Sequence, residues 1–139
     1  MSTDEQADAY LREANLTLRA AEAIHESATE SGEQLWAQVV KNGYDAIEQA
    51  VSAGIAAAGE AIPRSHPAKI NTFLELYAVP SALETSLLEW LRRRGASQYV
   101  DIRGDQVNVP HRNFEREDAD RILEDAQETL TFVEDVVAP

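Results

Sequence analysis

The sequence predicts an all-α fold, an up-and-down four-helix bundle with one short additional helix, built as a single domain over residues 1–139. Apolar residues recur at three- and four-residue steps through four segments, which is the period of an amphipathic helix. Serine-led capping boxes precede three of these segments. The connections are short, so consecutive helices are expected to run antiparallel.

Two long helices open the chain. Ser2-Thr3-Asp4-Glu5 forms a capping box, and an apolar stripe from Ala7 to Ala28 predicts a first helix over residues 4–28. A second capping box, Ser31-Gly32-Glu33-Gln34, predicts the start of a second helix that ends near Gly59. This helix carries two adjacent apolar stripes and many small residues, so we expect it to be the most buried element.

A short helix and another longer one follow. Ser65 is predicted to cap the short helix, and Pro80 to stop it. Ser81-Ala82-Leu83-Glu84 is a third capping box, and the helix that it starts runs into Arg92-Arg93-Arg94. Gly95 is predicted to end this helix as a left-handed cap.

Residues 96–114 have no helical period. Two short alternating apolar runs flank Arg103-Gly104-Asp105, which predicts an ordered loop, with a small hairpin within 98–110 as the alternative. The last helix is predicted to begin in the acidic turn Glu115 to Asp118 and to run to Val137.

Charge and composition exclude several classes of partner. The chain has 25 acidic and 12 basic residues, a formal net charge of −13, and two lysines. A basic footprint on duplex DNA is therefore not expected. Acid excess with few lysines resembles cytoplasmic proteins of salt-loving archaea. The chain lacks cysteine, a basic and apolar leader and any long apolar run, so we expect a cytoplasmic protein without disulfides or a membrane span.

The positive charge is concentrated in one part of the chain. Between residues 92 and 112 there are five arginines and two aspartates, a local balance of +3. Guanidinium groups match phosphate and carboxylate geometry, so this segment predicts an anion or nucleotide site. The arginines predicted to form it are Arg92, Arg93, Arg94 and Arg103. The alternative is structural, because arginine is favoured in the last turn of a helix.

A catalytic interpretation uses the same segment. One arginine that holds a phosphate and one group that transfers a proton suffice for metal-free RNA cleavage, since the 2′-hydroxyl supplies the nucleophile. The candidates are Arg94 with His111 or Tyr99. Tyr99 has a structural alternative, because tyrosine often anchors a loop. No metal-ligand spacing, Walker loop, GxGxxG or GxSxG motif occurs, so neither a metal nor a cofactor is expected.

Several segments together resemble the HEPN-domain family. They are the first helix around Ala7-Asp8-Ala9-Tyr10-Leu11, the second helix with Tyr44-Asp45-Ala46-Ile47-Glu48-Gln49-Ala50, the segment with His66, the run from Arg92 to Asp101, and the alanine-spaced last helix from Ala119 to Val137. The resemblance covers nearly the whole chain. It implies a bundle of four or five helices, a homodimer, and pairing with a minimal nucleotidyltransferase in a toxin–antitoxin-like module.

The resemblance also implies a ribonuclease motif from which this chain departs. Many family members are metal-independent ribonucleases whose motif is Arg, four to six residues, then His, acting across a dimer interface. Tyr99 stands five residues after Arg94, and no histidine fills the position. The leading hypothesis is therefore a HEPN-like module that binds nucleotide, RNA or a nucleotidyltransferase. The alternatives are a metal-independent endoribonuclease and a scaffold bundle without catalysis.

Overall fold

The structure, a computed structural model, describes residues 3–98 and 100–137, with the backbone alone at positions 96, 98, 101, 103 and 108. Within these ranges the elements are α1 Thr3–Ser31, α2 Trp36–Ala57, α3 His66–Leu76, α4 Ser81–Gln98, β1 Asp101–Arg103, β2 Gln106–Asn108, α5 Pro110–Asn113 and α6 Arg116–Val137. The predicted all-α bundle is confirmed. None of the described helices is long and apolar enough to cross a bilayer.

Helix α2 occupies the centre of the bundle. It contacts all five other helices, and most of its side chains are buried, including Tyr44, Ile47 and Val51. This burial confirms the expectation drawn from its two apolar stripes. Burying such a face against neighbouring helices supplies most of the stability of a helix in a folded protein.

Two glycines of α2 allow neighbouring side chains to approach its backbone. A Cβ atom added at Gly43 would lie 2.7 Å from Cγ1 of Ile122 on α6, and one added at Gly54 would lie 2.8 Å from Cε1 of Phe73 on α3. The Phe73 ring is itself packed against Tyr77 and Phe132, at centroid distances of 5.4 and 5.9 Å. The ring therefore has little room to move away from α2.

A buried hydrogen bond joins α4 to α6. Trp90 is fully buried, and its Nε1 donates to Oδ2 of Asp125 at 2.7 Å. The carboxylate thereby satisfies the indole N–H, which would otherwise be left unpaired at a cost of about 1–3 kcal/mol.

The predicted cap of α3 is present, and the predicted capping box of α2 is absent. Ser65 caps α3, since its Oγ accepts from the Ala68 backbone N–H at 3.2 Å. The box at Ser31 does not start α2, because α1 continues through Ser31 and ends at Gly32, whose φ of +77° is left-handed. Helix α2 instead begins at Trp36 without a side-chain cap.

The C-terminal end of α4 also differs from the prediction. Gly95 is not a left-handed cap: it continues the helix, which extends to Gln98. The extra turn is held by Ser97, which is buried and donates from Oγ to the Arg94 carbonyl at 2.7 Å. Burial of Ser97 offsets the helix-propensity cost of glycine, about 1 kcal/mol.

The predicted loop is a hairpin, which was the alternative. β1 and β2 pair antiparallel, with Ile102 opposite Val107 and Arg103 opposite Gln106. Gly104 has a φ of +60°, which a tight two-residue turn requires. The sequence pattern did not decide between a loop and a hairpin, because each strand is only three residues long.

Two alanine substitutions are expected to have opposite effects. Gly54→Ala should lower the free energy of unfolding, because over-packing against Phe73 costs about 1–3 kcal/mol and exceeds the roughly 1 kcal/mol gained in helix propensity. Gly95→Ala meets nothing within 4 Å and should raise the free energy of unfolding by up to about 1 kcal/mol. Urea unfolding followed by circular dichroism measures both. A destabilised Gly95→Ala variant would contradict the continuous helix.

Candidate functional site

The three consecutive arginines of α4 lie in different surroundings. Successive helical residues are rotated by about 100°, so their side chains leave the helix in different directions. Arg93 packs into the fold: its guanidinium lies 5.1 Å from the Trp90 ring centroid and 4.8 Å from that of Phe114, and it pairs with Asp118 at 3.0 Å. Arg93 therefore ties α4 to α6 and serves packing. The structural alternative is wrong in its reason, because α4 extends to Gln98 and none of the three arginines lies in its last turn.

Arg92 and Arg94 border a cavity of about 500 Å³ between α3 and α4. The other residues that line it are His66, Pro67, Leu91 and Gly95. His66 is the first residue of α3, so the positive end of that helix also faces this region. Two arginines, a histidine and a helix N-terminus give the cavity a positive character within a strongly acidic chain.

His66 is oriented by a buried carboxylate. Its Nδ1 lies 2.5 Å from Oε2 of Glu48 on α2, and Oε1 of the same carboxylate accepts from Lys69 Nζ at 3.3 Å. The Glu48 side chain is 9% exposed and that of His66 is 42% exposed. Because an ionised carboxylate only accepts, the Nδ1 atom carries a proton, and a neutral imidazole then presents Nε2 as its acceptor.

Two further side chains of α2 surround Glu48. The Tyr44 hydroxyl is buried beside the Glu48 carboxylate. Burial raises the pKa of Tyr44 far above its usual value, the negative charge of Glu48 adds to this, and Arg94 acts in the opposite direction. Burial also raises the pKa of the Asp45 carboxyl, and the negative charge of Glu48 raises it further. The positive charges of Lys41 and Arg94 lower this pKa. The electrostatic influence of Arg94 thus extends to the polar side of α2.

Among Tyr99, Arg103 and His111, which were also predicted for the site, only His111 has a described side chain. Tyr99 lies outside the described residues. Arg103 is part of β1, and only the backbone of this residue is described. His111 is exposed on the short helix α5 and is not among the described residues that line the arginine cavity. Within the described ranges, no group of three or more His, Asp or Glu side chains is placed to hold a metal ion.

His66 was singled out in the sequence as part of the HEPN resemblance, and no expectation connected it with Arg94. The two positions are 28 residues apart, and only the packing of α3 against α4 joins them. One signal was available in the sequence: Tyr44, Asp45 and Glu48 form a polar group within the most buried helix. Since buried charges need partners, such a group indicates a polar contact from a neighbouring helix.

Comparison with known proteins supports the fold and identifies no function. No protein-family model matches the chain, and the comparison with curated proteins gives no match. The crystal structure of TT1696 from Thermus thermophilus is similar, with a TM-score of 0.77 and 22% sequence identity. The similarity covers 94% of this chain and 98% of the Thermus chain, which establishes the same helical architecture over nearly the whole length.

Asp45→Asn is expected to raise the free energy of unfolding at pH 7. Because burial raises the pKa of Asp45 in the folded protein, the folded state binds its proton more tightly than the unfolded chain, whose pKa is about 3.9. Stability therefore falls as the pH rises from the unfolded pKa through the folded pKa, and the ionised carboxylate remains unfavourable above that window. The gain from the variant should disappear below about pH 4, where both states hold the proton.

Urea titrations across this pH range measure the difference. Asp8→Asn is the matched control, because it removes one negative charge at an exposed position of α1. An equal gain in both variants would show that the relief of net charge, and not the burial of Asp45, is responsible.

Proposed function

We propose that the protein is a HEPN-like helical module that binds RNA or a nucleotide through a phosphate group. The observation that carries the proposal is the cavity in which Arg92, Arg94 and His66 come together. Guanidinium groups make charge-assisted hydrogen bonds to phosphate oxygens, and a histidine adds a further donor when it is protonated.

The charge distribution limits what such a site accepts. The chain has a net charge of −13, so most of its surface repels a polyanion. A ligand is therefore held at the arginine cavity and little elsewhere. Short single-stranded RNA or a mononucleotide fits this requirement better than a duplex, which needs an extended basic surface.

The proposal includes a protein partner. The resemblance to HEPN proteins suggests a homodimer that works beside a minimal nucleotidyltransferase in a toxin–antitoxin-like pair. Co-purification with a nucleotidyltransferase encoded beside its gene would support this part, and recovery of the protein without such a partner would count against it.

Substitution of the cavity arginines is expected to weaken RNA binding at least tenfold. Fluorescence anisotropy with a labelled RNA of about ten nucleotides measures the affinity of wild type, Arg92→Ala and Arg94→Ala, and each phosphate contact that is lost should also reduce the salt dependence. Arg12→Ala and Arg19→Ala remove exposed arginines of α1 and serve as controls. Equal weakening in the controls would show that only general charge attraction is involved.

A second candidate function is metal-independent RNA cleavage, which the Glu48–His66 pair favours. Nε2 of His66 would accept the 2′-hydroxyl proton as that oxygen attacks the phosphorus, and Arg94 would stabilise the negative charge of the transition state. The bond from phosphorus to the 5′-oxygen breaks, the leaving oxygen takes up a proton from water, and a 2′,3′-cyclic phosphate remains. Glu48 would hold the imidazole in the required tautomer.

If the protein cleaves RNA, His66→Ala is expected to reduce the rate by at least about 100-fold, the usual contribution of a general base. The assay follows labelled RNA in the presence of EDTA and detects the cyclic phosphate product. His111→Ala provides the comparison, because His111 lies outside the described cavity lining. Loss of activity with His111→Ala and retention with His66→Ala would refute this assignment. Absence of cleavage by wild type would leave the binding proposal as the surviving function.

A further inference from the structure

Gly95 lies in the interior of α4, and the packing of the chain does not explain why glycine stands there. Glycine is less favourable than alanine inside a helix. The φ of Gly95 is not left-handed, and the helix continues past it to Gln98. The two glycines of α2 differ, because an added Cβ there would clash with a neighbouring side chain. A Cβ added at Gly95 has no atom of the described part of the chain within 4 Å.

Gly95 lies in the middle of the face of α4 that borders the arginine cavity. Successive residues of a helix are rotated by about 100°, which places position 95 about 40° from position 91 and about 60° from position 92 on the other side. Position 94 follows beyond position 91. Leu91, Arg92, Arg94 and Gly95 all line the cavity. The two arginines therefore stand on opposite sides of a narrow apolar strip, which consists of Leu91 and Gly95.

The apolar strip allows a ligand to reach the backbone of α4. No side chain covers the helix at Gly95, and Pro67 of α3 adds a second apolar surface to the same cavity. An arginine carries its charge at the end of an aliphatic stem, so its guanidinium group can lie farther from the helix axis than the strip does. The cavity thus offers an apolar part close to α4 and positive charge farther out.

A nucleotide has the two parts that this arrangement fits. Guanidinium groups match its phosphate, and its flat base presents an apolar face to aliphatic side chains and bare backbone. Glycine is the residue that permits close approach between a backbone and a ligand. The cavity volume of about 500 Å³ lies within the range of small-molecule sites, about 300–1,000 Å³, and inorganic phosphate alone would occupy a small part of it.

We infer that Leu91, Gly95 and Pro67 form a subsite for the nucleoside of a nucleotide whose phosphate is held by Arg92 and Arg94. The inference rests on the proposed function, because it requires a phosphate at the arginines. It assigns Gly95 as a specificity-determining residue. The missing side chain admits a nucleoside beside the phosphate, and a ligand that is phosphate alone does not use this space.

Gly95→Ala is expected to weaken binding of adenosine 5′-monophosphate at least about fivefold, because an extra methyl group in a filled site costs as much as over-packing a core. Gly95→Leu fills the strip and should abolish binding of this nucleotide. Inorganic phosphate should bind Gly95→Ala as tightly as it binds wild type, because it contacts the arginines and not the strip. Phosphorus NMR titration of the full chain at constant pH measures the affinity for both ligands.

Ala82→Leu is the matched control, because it enlarges an exposed side chain of α4 outside the described lining of the cavity. This variant should bind adenosine 5′-monophosphate as tightly as wild type does. Since Gly95→Ala is expected to raise the free energy of unfolding, its weaker binding would not result from a less stable fold. Urea unfolding of the same samples checks this point.

Unchanged nucleotide binding by Gly95→Ala would overturn the subsite, and loss of both ligands in Arg94→Ala would show that the phosphate site itself stands. Equal weakening of both ligands in Gly95→Ala would also overturn the subsite, since the glycine would then serve the phosphate and not the nucleoside. A wild-type protein that binds neither ligand would overturn the proposed function, and the subsite with it.

Discussion

The buried carboxylate of Glu48 constrains how α3 is placed against the central helix. An ionised carboxylate removed from water costs several kcal/mol unless charged or hydrogen-bonding groups surround it. Glu48 meets this requirement through His66 and Lys69, both on α3. The same contacts place His66 beside the end of α4, where Arg94 lies. The neutralisation of a charge on the most buried helix thus fixes the polar cluster and also the position of the histidine that borders the cavity.

Helical geometry divides the arginine cluster into two functions. Arg93 packs against the rings of Trp90 and Phe114 and pairs with Asp118, so it contributes to the join between α4 and α6. Arg92 and Arg94 border the cavity instead. Arg93 is therefore structural, through its packing and ion pair and not through the helix end, and the other two arginines border the cavity. Because the three arginines are adjacent in sequence, their different roles cannot be distinguished from composition alone.

Local sequence signals predicted a helix correctly wherever a segment strongly favoured the helical conformation. The period of the apolar residues predicted the four long helices, and the short helix α3 is capped by Ser65 as expected. The errors fall at boundaries where two local signals compete. At Ser31 a capping box competed with the left-handed conformation of Gly32, and at Gly95 the expected cap was overridden by the burial of Ser97. Such outcomes depend on tertiary packing, which contributes as much energy as the local preference.

The sequence by itself determined the helical class, the two adjacent apolar stripes of α2, and the concentration of positive charge near the end of α4. These properties follow from residue types and spacing along one segment. Tertiary structure decided which arginines border the cavity, that His66 and not His111 lies with them there, and that Ile102 and Val107 of the hairpin are exposed. Each of these depends on contacts between residues far apart in the chain, and such contacts are set by the packing of whole helices.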